Sequence, residues 1–405
     1  MDLVVAIGGL AGLILIHEAG HFFTALATGM RPRRFFVGLP PALVSVKRNG
    51  VEYGIGAIPF GGYVKIPGMH RPSPSDVDLY FGLALREEPS LVPEIEALKR
   101  VLAAGKHDEA KEALAQLEAA IERVEITPQA LRAAKRGFVE IADGLGGDAY
   151  WRQRTWKRVA VIFAGPATNL VFAVVLFAIL FMQGNAIVTT SVAKVSPNRP
   201  AASAGLRPGD RIVAIDGQRV KKPDQIHTLI AGSKGKAVWI AVQRGDRLVV
   251  LGPVKPRKES GTYLVGFELR GRGLSFPAAA WRSIRVTGEI TRETARAFTR
   301  LAHGQGRKDL SGPVGIVQAS SNALDQGLLY YLQILGLISL SLAILNMLPL
   351  LPLDGGHIAF SIVEGIRGRA IRREVYERVS MVGIVLVLFL FFIGLSSDIG
   401  RLRGG

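Results

Sequence analysis

The sequence predicts an α-helical polytopic membrane protein with four transmembrane helices and a small α+β domain inserted between the second and the third. Charged residues make up only 20% of the 405 residues, below the roughly 25% of an ordinary soluble domain, and the mean hydropathy is +0.28. This composition argues against disorder and against an ordinary cytosolic enzyme. Four apolar stretches are long enough to cross about 30 Å of hydrocarbon; they are residues 3–28, 159–182, 328–353 and 379–395.

The ends of the first and third stretches refine this prediction. The first begins Met-Asp and has no Lys or Arg before Arg31, whereas a cleavable signal peptide has a positive leading region. It therefore predicts a retained spanning helix. The third contains Pro349 and Pro352 and is followed at once by Asp354. Prolines break a helix at membrane depth only where the backbone is buried in protein or lines a cavity.

Composition also limits the chemistry and the partners. The chain has no cysteine, which excludes disulfides, thiol nucleophiles and Cys-ligated metals. Any metal must be held by His and carboxylates. The net charge of +17 is compatible with nucleic acid or with an anionic membrane. Because the aromatic residues fall mostly in apolar runs, the lipid bilayer is the predicted partner and nucleic acid is not.

Basic residues near the spans predict the orientation, because they favour the cytoplasmic side. Three clusters agree if both termini lie outside the cytoplasm: Arg31, Arg33 and Arg34; Arg152, Arg154, Lys157 and Arg158; and Arg367, Arg369, Arg372 and Arg373. The tail, with Arg401 and Arg403, weakly opposes this orientation. The orientation with both termini outside places residues 29–157 in the cytoplasm and residues 184–327 outside it.

Each loop has its own pattern. Residues 42–66 alternate in polarity around Asn49-Gly50, a strong type I′ hairpin signal. Residues 91–143 have the spacing of amphipathic helices, and a solvated helical hairpin is expected. Residues 186–270 contain short β-rich runs and one probable helix. Residues 275–303 form an amphipathic helix that either lies in the membrane interface, with Trp281 at headgroup depth, or packs on the soluble domain.

The strongest chemical signal is the run His17-Glu18-Ala19-Gly20-His21. Positions i and i+4 lie on one face of a helix, so both imidazoles can bind one zinc ion. Glu18 lies beside them and can take a proton from the attacking water. Each charged group in a spanning helix costs roughly 2.5–3.5 kcal/mol on insertion scales, so three ionisable groups in one turn indicate a compensating function such as metal binding.

Asp354 is the candidate for the third protein ligand that zinc requires. The first and third spans run in the same direction, and His17, His21 and Asp354 all fall near the same end of their spans. Alone, an aspartate here would be explained as a helix cap or as a side chain reaching for water. His357 is a weaker rival for the same role.

These residues belong to a set of motifs that resembles the site-2 protease family of intramembrane zinc metalloproteases, in the bacterial branch that cleaves anti-sigma factors and signal-peptide remnants. The motifs occur in the family's order and span nearly the whole chain outside residues 70–150. They are the His17–His21 run, Pro59-Phe-Gly-Gly-Tyr-Val-Lys65, Ala164-Gly-Pro-Ala-Thr-Asn169, Ser311-Gly-Pro-Val-Gly-Ile316 and Leu353-Asp-Gly355.

The resemblance implies specific roles. It implies that His17, His21 and Asp354 bind Zn²⁺ and that Glu18 is the catalytic base. It also implies that the hairpin re-enters the membrane and presents a strand edge, with Gly61, Gly62 and Tyr63, to an unwound single-span substrate. Asn169 and Asn346 are the candidate polar contacts to the substrate backbone or the oxyanion. For either Asn, the alternative is an interhelical hydrogen bond worth about 1 kcal/mol.

Residues 195–217 resemble a bacterial PDZ domain, a module that takes extended peptides by strand addition. It is expected outside the cytoplasm, binding a substrate's peptide stump. Only one such domain is found, whereas a familiar branch of the family has two. The predicted organisation is a first span with re-entrant hairpin (1–69), a helical insert (70–150), a second span (151–185), the PDZ domain (186–270), an amphipathic linker (271–327) and the last two spans (328–405).

The predicted function is therefore intramembrane zinc endopeptidase activity in the inner membrane of a bacterium, with the active site towards the cytoplasm. An inert relative acting as a scaffold through its PDZ domain is the main rival. The intact His17, Glu18, His21 and Asp354 argue against it. A zinc transporter would need more than one polar cluster along a path, and the sequence has one.

Overall fold

The described part of the chain contains four long apolar helices, as predicted. The computed structural model describes residues 2–185, 187–259, 261–303, 312–371 and 373–403. Ser311 and Arg372 lie outside the described residues, as do the side chains of Arg373, Arg401 and Arg403. Within the described ranges, the helices apolar enough to span a membrane are α1 (Asp2–Thr28), α6 (Thr155–Leu180), α11 (Leu328–Asn346) and α13 (Arg373–Arg403).

The third span is shorter than the sequence suggested. Helix α11 ends at Asn346, and the seven residues that follow, including Pro349 and Pro352, are turns and bends. A new helix, α12 (Asp354–Arg367), then begins at the aspartate itself. The helix is therefore interrupted as expected, and it ends three residues before the first proline.

Small residues bring the apolar helices together. A Cβ atom on Gly20 of α1 would overlap the backbone of Ala164 in α6, and one on Gly9 would overlap the Tyr331 hydroxyl of α11. That hydroxyl donates to the Val5 carbonyl at 3.0 Å. Lipid tails provide no hydrophobic drive between helices, so close packing and interhelical hydrogen bonds stabilise this arrangement.

The predicted hairpin is part of a longer sheet. Strands β1 (Arg34–Arg48) and β2 (Val51–Lys65) flank the Asn49-Gly50 turn, whose φ values of 51° and 80° match the type I′ turn. Each strand bends and pairs twice. Residues 34–37 pair in parallel with 52–55 and antiparallel with 62–65, and residues 42–48 pair with 51–56. The order across the sheet is thus 42–48, 51–56, 34–39 and 58–65, which leaves the last segment at an edge.

The helical insert has four helices. Three of them begin within residues 91–143, so the expectation of a helical hairpin there was wrong. The four helices are α2 (Pro74–Glu87), α3 (Val92–Ala103), α4 (His107–Ile121) and α5 (Pro128–Leu145). Both α2 and α5 begin with proline. At the start of α2 the Asp76 carboxylate accepts from the Ser73 N–H at 2.8 Å, and at the start of α5 the Thr127 hydroxyl accepts from the Ala130 N–H at 3.3 Å. The apolar faces of the four helices form one shared core, in which the ring centroids of Phe81 and Phe138 lie 4.9 Å apart.

A separate compact unit, Val174–Ile290, contains the predicted small domain. Its strands and short helices are β3 (Ile187–Val195), α7 (Pro200–Ser203), β4 (Arg211–Ile215), β5 (Gln218–Arg219), α8 (Pro223–Gly232), β6 (Val238–Arg244), β7 (Arg247–Val254), β8 (Arg257–Glu259), β9 (Thr262–Leu264) and β10 (Phe267–Arg272). The main sheet has the order β10-β3-β4-β6-β7, with β5 beside β4. The core lies between this sheet and helix α8.

An ion pair with a buried aspartate stabilises this domain. Arg244 donates two 2.7 Å hydrogen bonds to the carboxylate of Asp210, and the backbone N–H of Arg207 donates a third at 2.8 Å. Burial of Asp210 opposes its ionisation, but these bonds outweigh burial and lower its pKa below the ordinary value. The Gly209-Asp210 pair of the PDZ-like run therefore has a structural role here.

The amphipathic segment forms one helix, α9 (Phe276–Ala302), and a shorter helix, α10 (Pro313–Asp325), precedes the third span. Phe276, Trp281 and Ile284 are each more than half exposed, whereas Ala279 is buried. This exposure is compatible with both predicted surroundings of α9.

Candidate metal centre and active site

Two histidines of helix α1 form one side of a tight cluster. His17 and His21 are one turn apart and both are more than nine-tenths buried. Their Nε2 atoms lie 3.2 Å from each other. The i, i+4 spacing alone dictates that both rings project from one face of the helix.

Asp354 completes the cluster from the other end of the chain. As the first residue of α12, it directs its Oδ2 atom to within 3.1 Å of His17 Nε2 and 3.5 Å of His21 Nε2. That oxygen is buried and has no hydrogen-bond partner among the described residues. A buried carboxylate oxygen without such a partner is costly, and a cation would offset the cost.

The dimensions of the cluster fit a tetrahedral zinc ion. Zinc binds nitrogen and oxygen at about 2.0–2.1 Å, which places neighbouring ligand atoms about 3.3–3.4 Å apart. The three observed separations are 3.1, 3.2 and 3.5 Å. Two imidazoles and one carboxylate leave a fourth position open, which is the ligand pattern of catalytic rather than structural zinc sites.

The outer nitrogen of each ring meets a partner from α6. The Nδ1–H of His21 donates to the Val161 carbonyl at 2.9 Å, which leaves Nε2 free to bind a metal. The carboxamide of Asn169 lies against His17 Nδ1 at 3.4 Å, and its Oδ1 has no partner within the described ranges. A half-turn of the carboxamide would bring Oδ1 to the Nδ1–H and satisfy both groups.

Glycine in α6 permits this approach. A Cβ atom on Gly165 would overlap the imidazole of His21 and come within 2.9 Å of His17 Nε2. The Thr168 hydroxyl donates to the Ile16 carbonyl at 3.1 Å, which holds the two helices in register. Gly165 belongs to a motif quoted above, but the sequence alone indicated no role for it.

A cavity of about 520 Å³ opens onto the cluster. Glu18 lines it, and a Cβ atom on Gly62 of strand β2 would come within 2.9 Å of Glu18 Cγ. The neighbouring Gly61 has a φ of 129°, a conformation that favours glycine. The edge segment of the sheet therefore lies directly beside the glutamate.

The structure brings most of the predicted site residues to this cavity: His17, Glu18, His21, Gly61, Gly62, Tyr63, Asn346 and Asp354. Asn169 is fully buried and absent from the lining; it lies behind His17. His357, the rival ligand, also lines the cavity, but it contacts the Tyr376 hydroxyl at 2.9 Å through Nδ1. It is not among the three residues whose ligand atoms converge.

A helix with paired histidines and an intervening glutamate, joined by an aspartate inside a set of apolar helices, defines a membrane metalloprotease. Comparison with known families agrees: the sequence model of peptidase family M50 matches residues 5–390. The chain therefore belongs to peptidase family M50.

Named relatives align over almost their full length. Zinc metalloprotease RasP of Geobacillus kaustophilus is 27% identical, with 96% of this chain and 95% of the relative covered. A Brucella suis protein that carries a zinc-metalloprotease name is 28% identical, with 94% and 90% covered. Among solved structures, the PDZ domain of an SdrC-like protein from Listeria monocytogenes is 27% identical, covering 20% of this chain and 85% of that one, with a TM-score of 0.18.

Proposed function

We propose that this protein is a zinc-dependent endopeptidase that hydrolyses a peptide bond within or next to the transmembrane segment of single-span membrane proteins. The observation that carries the proposal is the triangle of His17, His21 and Asp354 ligand atoms, which opens onto a cavity shared with Glu18 and a free strand edge. Substrates of the anti-sigma factor or signal-peptide remnant type, cut in regulated intramembrane proteolysis, fit this site.

In this proposal each polar group of the site has one task. His17, His21 and Asp354 hold Zn²⁺, which supplies the Lewis acidity that polarises the scissile carbonyl. Glu18 accepts a proton from the attacking water and returns it to the leaving amine. Asn169 does not touch substrate; it accepts the Nδ1–H of His17 and so fixes that ring.

The strand edge addresses the difficulty of cutting a helix in lipid. A helical substrate hides its carbonyls in hydrogen bonds to the residue four positions on, and breaking them in hydrocarbon costs several kcal/mol per group. Segment 58–65 pairs on one side only among the described residues. Its free side can pair with an unwound substrate, with Gly61, Gly62 and Tyr63 along the contact and the Asn346 amide across the cavity.

For such substrates to reach the site, the sheet must re-enter the membrane from the cytoplasmic face of a bacterial inner membrane. The basic clusters around the spans support this orientation, with both termini outside. In this orientation residues 29–157, which include the helical insert, lie in the cytoplasm and residues 184–327 lie outside it.

Single cysteines test this topology, since the chain has no cysteine of its own. Gln218→Cys in the small domain and Ala115→Cys in the insert are both exposed positions. A membrane-impermeant maleimide should label Gln218→Cys only from outside and Ala115→Cys only in inverted vesicles. Labelling of both from one face contradicts the orientation.

The small domain is proposed to act as a PDZ filter, because its PDZ-like run contains no acid–base pair or metal set of its own. It would bind the outer stump of a substrate and refuse bulky ectodomains until another protease has shortened them. The domain does no chemistry in this scheme.

One assay tests both the peptidase function and the filter. A single transmembrane segment is offered with a short or a long outer domain to the purified full-length protein, and mass spectrometry locates the cut. Wild type should cut the short substrate within or beside the apolar segment and refuse the long one. Deleting residues 190–268 should leave zinc content unchanged and allow both to be cut. If the deletion abolishes cleavage of the short substrate while the long one stays refused, the domain is a brace or an essential docking site.

A further inference from the structure

The helical insert contacts the sheet at one end, which we call its base and which contains Arg33 and Lys65. The N–H of Arg33, one residue before β1, donates to the carbonyl of Lys65, the last residue of β2, at 2.7 Å. These two cations therefore mark the point at which the central and edge segments of the sheet end together. Both side chains point to the insert.

Asp143, near the end of helix α5, receives both cations. Arg33 Nε donates to its Oδ1 at 2.7 Å, and Lys65 Nζ lies 3.3 Å from its Oδ2. Asp143 itself is only 8% exposed. Glu140 accepts a hydrogen bond from Lys65 at 2.9 Å, and Asp148 accepts one from Arg33 at 3.0 Å. The other members are partly exposed, but removing a partner of the buried Asp143 leaves its charge uncompensated, so the cluster holds the two elements together.

Backbone hydrogen bonds also join the end of the insert to the residues that follow the sheet. The N–H groups of Tyr150 and Trp151, where the chain leaves the insert, donate to the carbonyls of Pro67 and Gly68, where it leaves the sheet, at 2.9 and 3.1 Å. Gly68, with a φ of 60°, packs against Ala149. These bonds hold the two ends of the insert together directly after the last residue of the sheet.

The same module also touches the helix that provides a metal-ligand candidate. The Tyr150 hydroxyl lies 2.9 Å from the Ser361 hydroxyl on α12, the helix that begins at Asp354. In the other direction, Gly62 precedes Lys65 by three residues, about 10 Å along a strand. Because Gly62 and Lys65 lie on the same short strand segment, a tilt of this segment at Lys65 would also move the residues beside Glu18.

We propose that the helical insert is a positioning domain for the substrate-binding edge, with Asp143 as the positioning residue that sets where this edge lies relative to Glu18. The idea rests on the proposed role of the edge in binding substrate. It gives a task to a part of the chain for which the sequence suggested none. Asp143 acts through Arg33 and Lys65 and does not touch the reacting atoms.

The test uses the full-length protein and two readouts. Asp143→Asn should leave the zinc content unchanged and lower the turnover number for a transmembrane peptide by about 10-fold or more, since a misplacement of about 1 Å can cost 10²-fold. Spin labels on Lys47→Cys in the sheet and Ala115→Cys in the insert should change from a narrow to a broad distance distribution. The control is Asp78→Asn, which neutralises an ion pair with Lys99 inside the insert at 3.0 Å and should change neither readout.

A second variant separates positioning from loss of folding. Lys65→Met breaks the same contact from the side of the sheet and leaves the insert's own core intact, so it should broaden the distances in the same way. A narrow distribution in both variants overturns the proposal, whatever the rates. The distance measurement needs no turnover, so an absence of cleavage in wild type would count against the proposed function and not against the coupling.

Discussion

Replacement of Glu18 by glutamine is expected to abolish cleavage of a transmembrane peptide while zinc stays bound. Glutamine has nearly the same size, and the three ligand candidates are untouched. It cannot accept a proton, and loss of general-base catalysis costs roughly 10²–10⁴ in rate. The measurement is zinc content by mass spectrometry together with the turnover number for wild type and variant purified side by side.

Glu112→Gln is the matched control for this experiment. Glu112 is exposed on helix α4 of the insert, so the same chemical change there should leave the rate unchanged. Full activity in Glu18→Gln would remove Glu18 from the mechanism, and loss of zinc in that variant would assign it to the metal site instead.

His21→Ala is expected to lose the metal as well as the activity. The variant removes one of three ligand atoms that converge within 4.8 Å, so the loss in zinc affinity should exceed the roughly 10–100-fold that removal of an outer contact costs. Zinc per protein after dialysis against a weak chelator measures the effect.

His357→Ala is the control that separates ligands from neighbours. His357 lines the same cavity but lies outside the converging set, so this variant should retain zinc. If His357→Ala loses the metal, the assignment of Asp354 as the third ligand is wrong, and if His21→Ala keeps it, His21 is not a ligand.

Several parts of this protein are predictable because they depend on residues close together in the chain. The spacing of His17 and His21 determines that both rings lie on one face of α1. The Asn49-Gly50 pair determines the turn between β1 and β2, since both residues tolerate a positive φ. Long apolar runs predict spanning helices because a backbone in lipid must satisfy its own hydrogen bonds.

Other expectations failed where the outcome depends on packing. Residues 91–143 were expected to form a helical hairpin, but they contain three helices that share one core with α2. Amphipathic spacing alone does not give the number of helices that pack together. The sheet was expected to start at residue 42, but residues 34–39 lie between two segments of β2. Residues 35–37 are Phe, Phe and Val, an apolar run without the alternation that marks a half-buried strand.

The metal centre combines both kinds of information. The sequence by itself determined the two histidines, the glutamate between them and the carboxylate available to join them, because helical periodicity and the cost of charge in a membrane act locally. Only the tertiary structure decided that Asp354 lies 3.1 Å from His17, that Asn169 lies behind the ring and that Asp143 holds the base of the sheet. Those distances join elements far apart in the chain, and they are set by how closely glycines such as Gly165 allow the helices to pack.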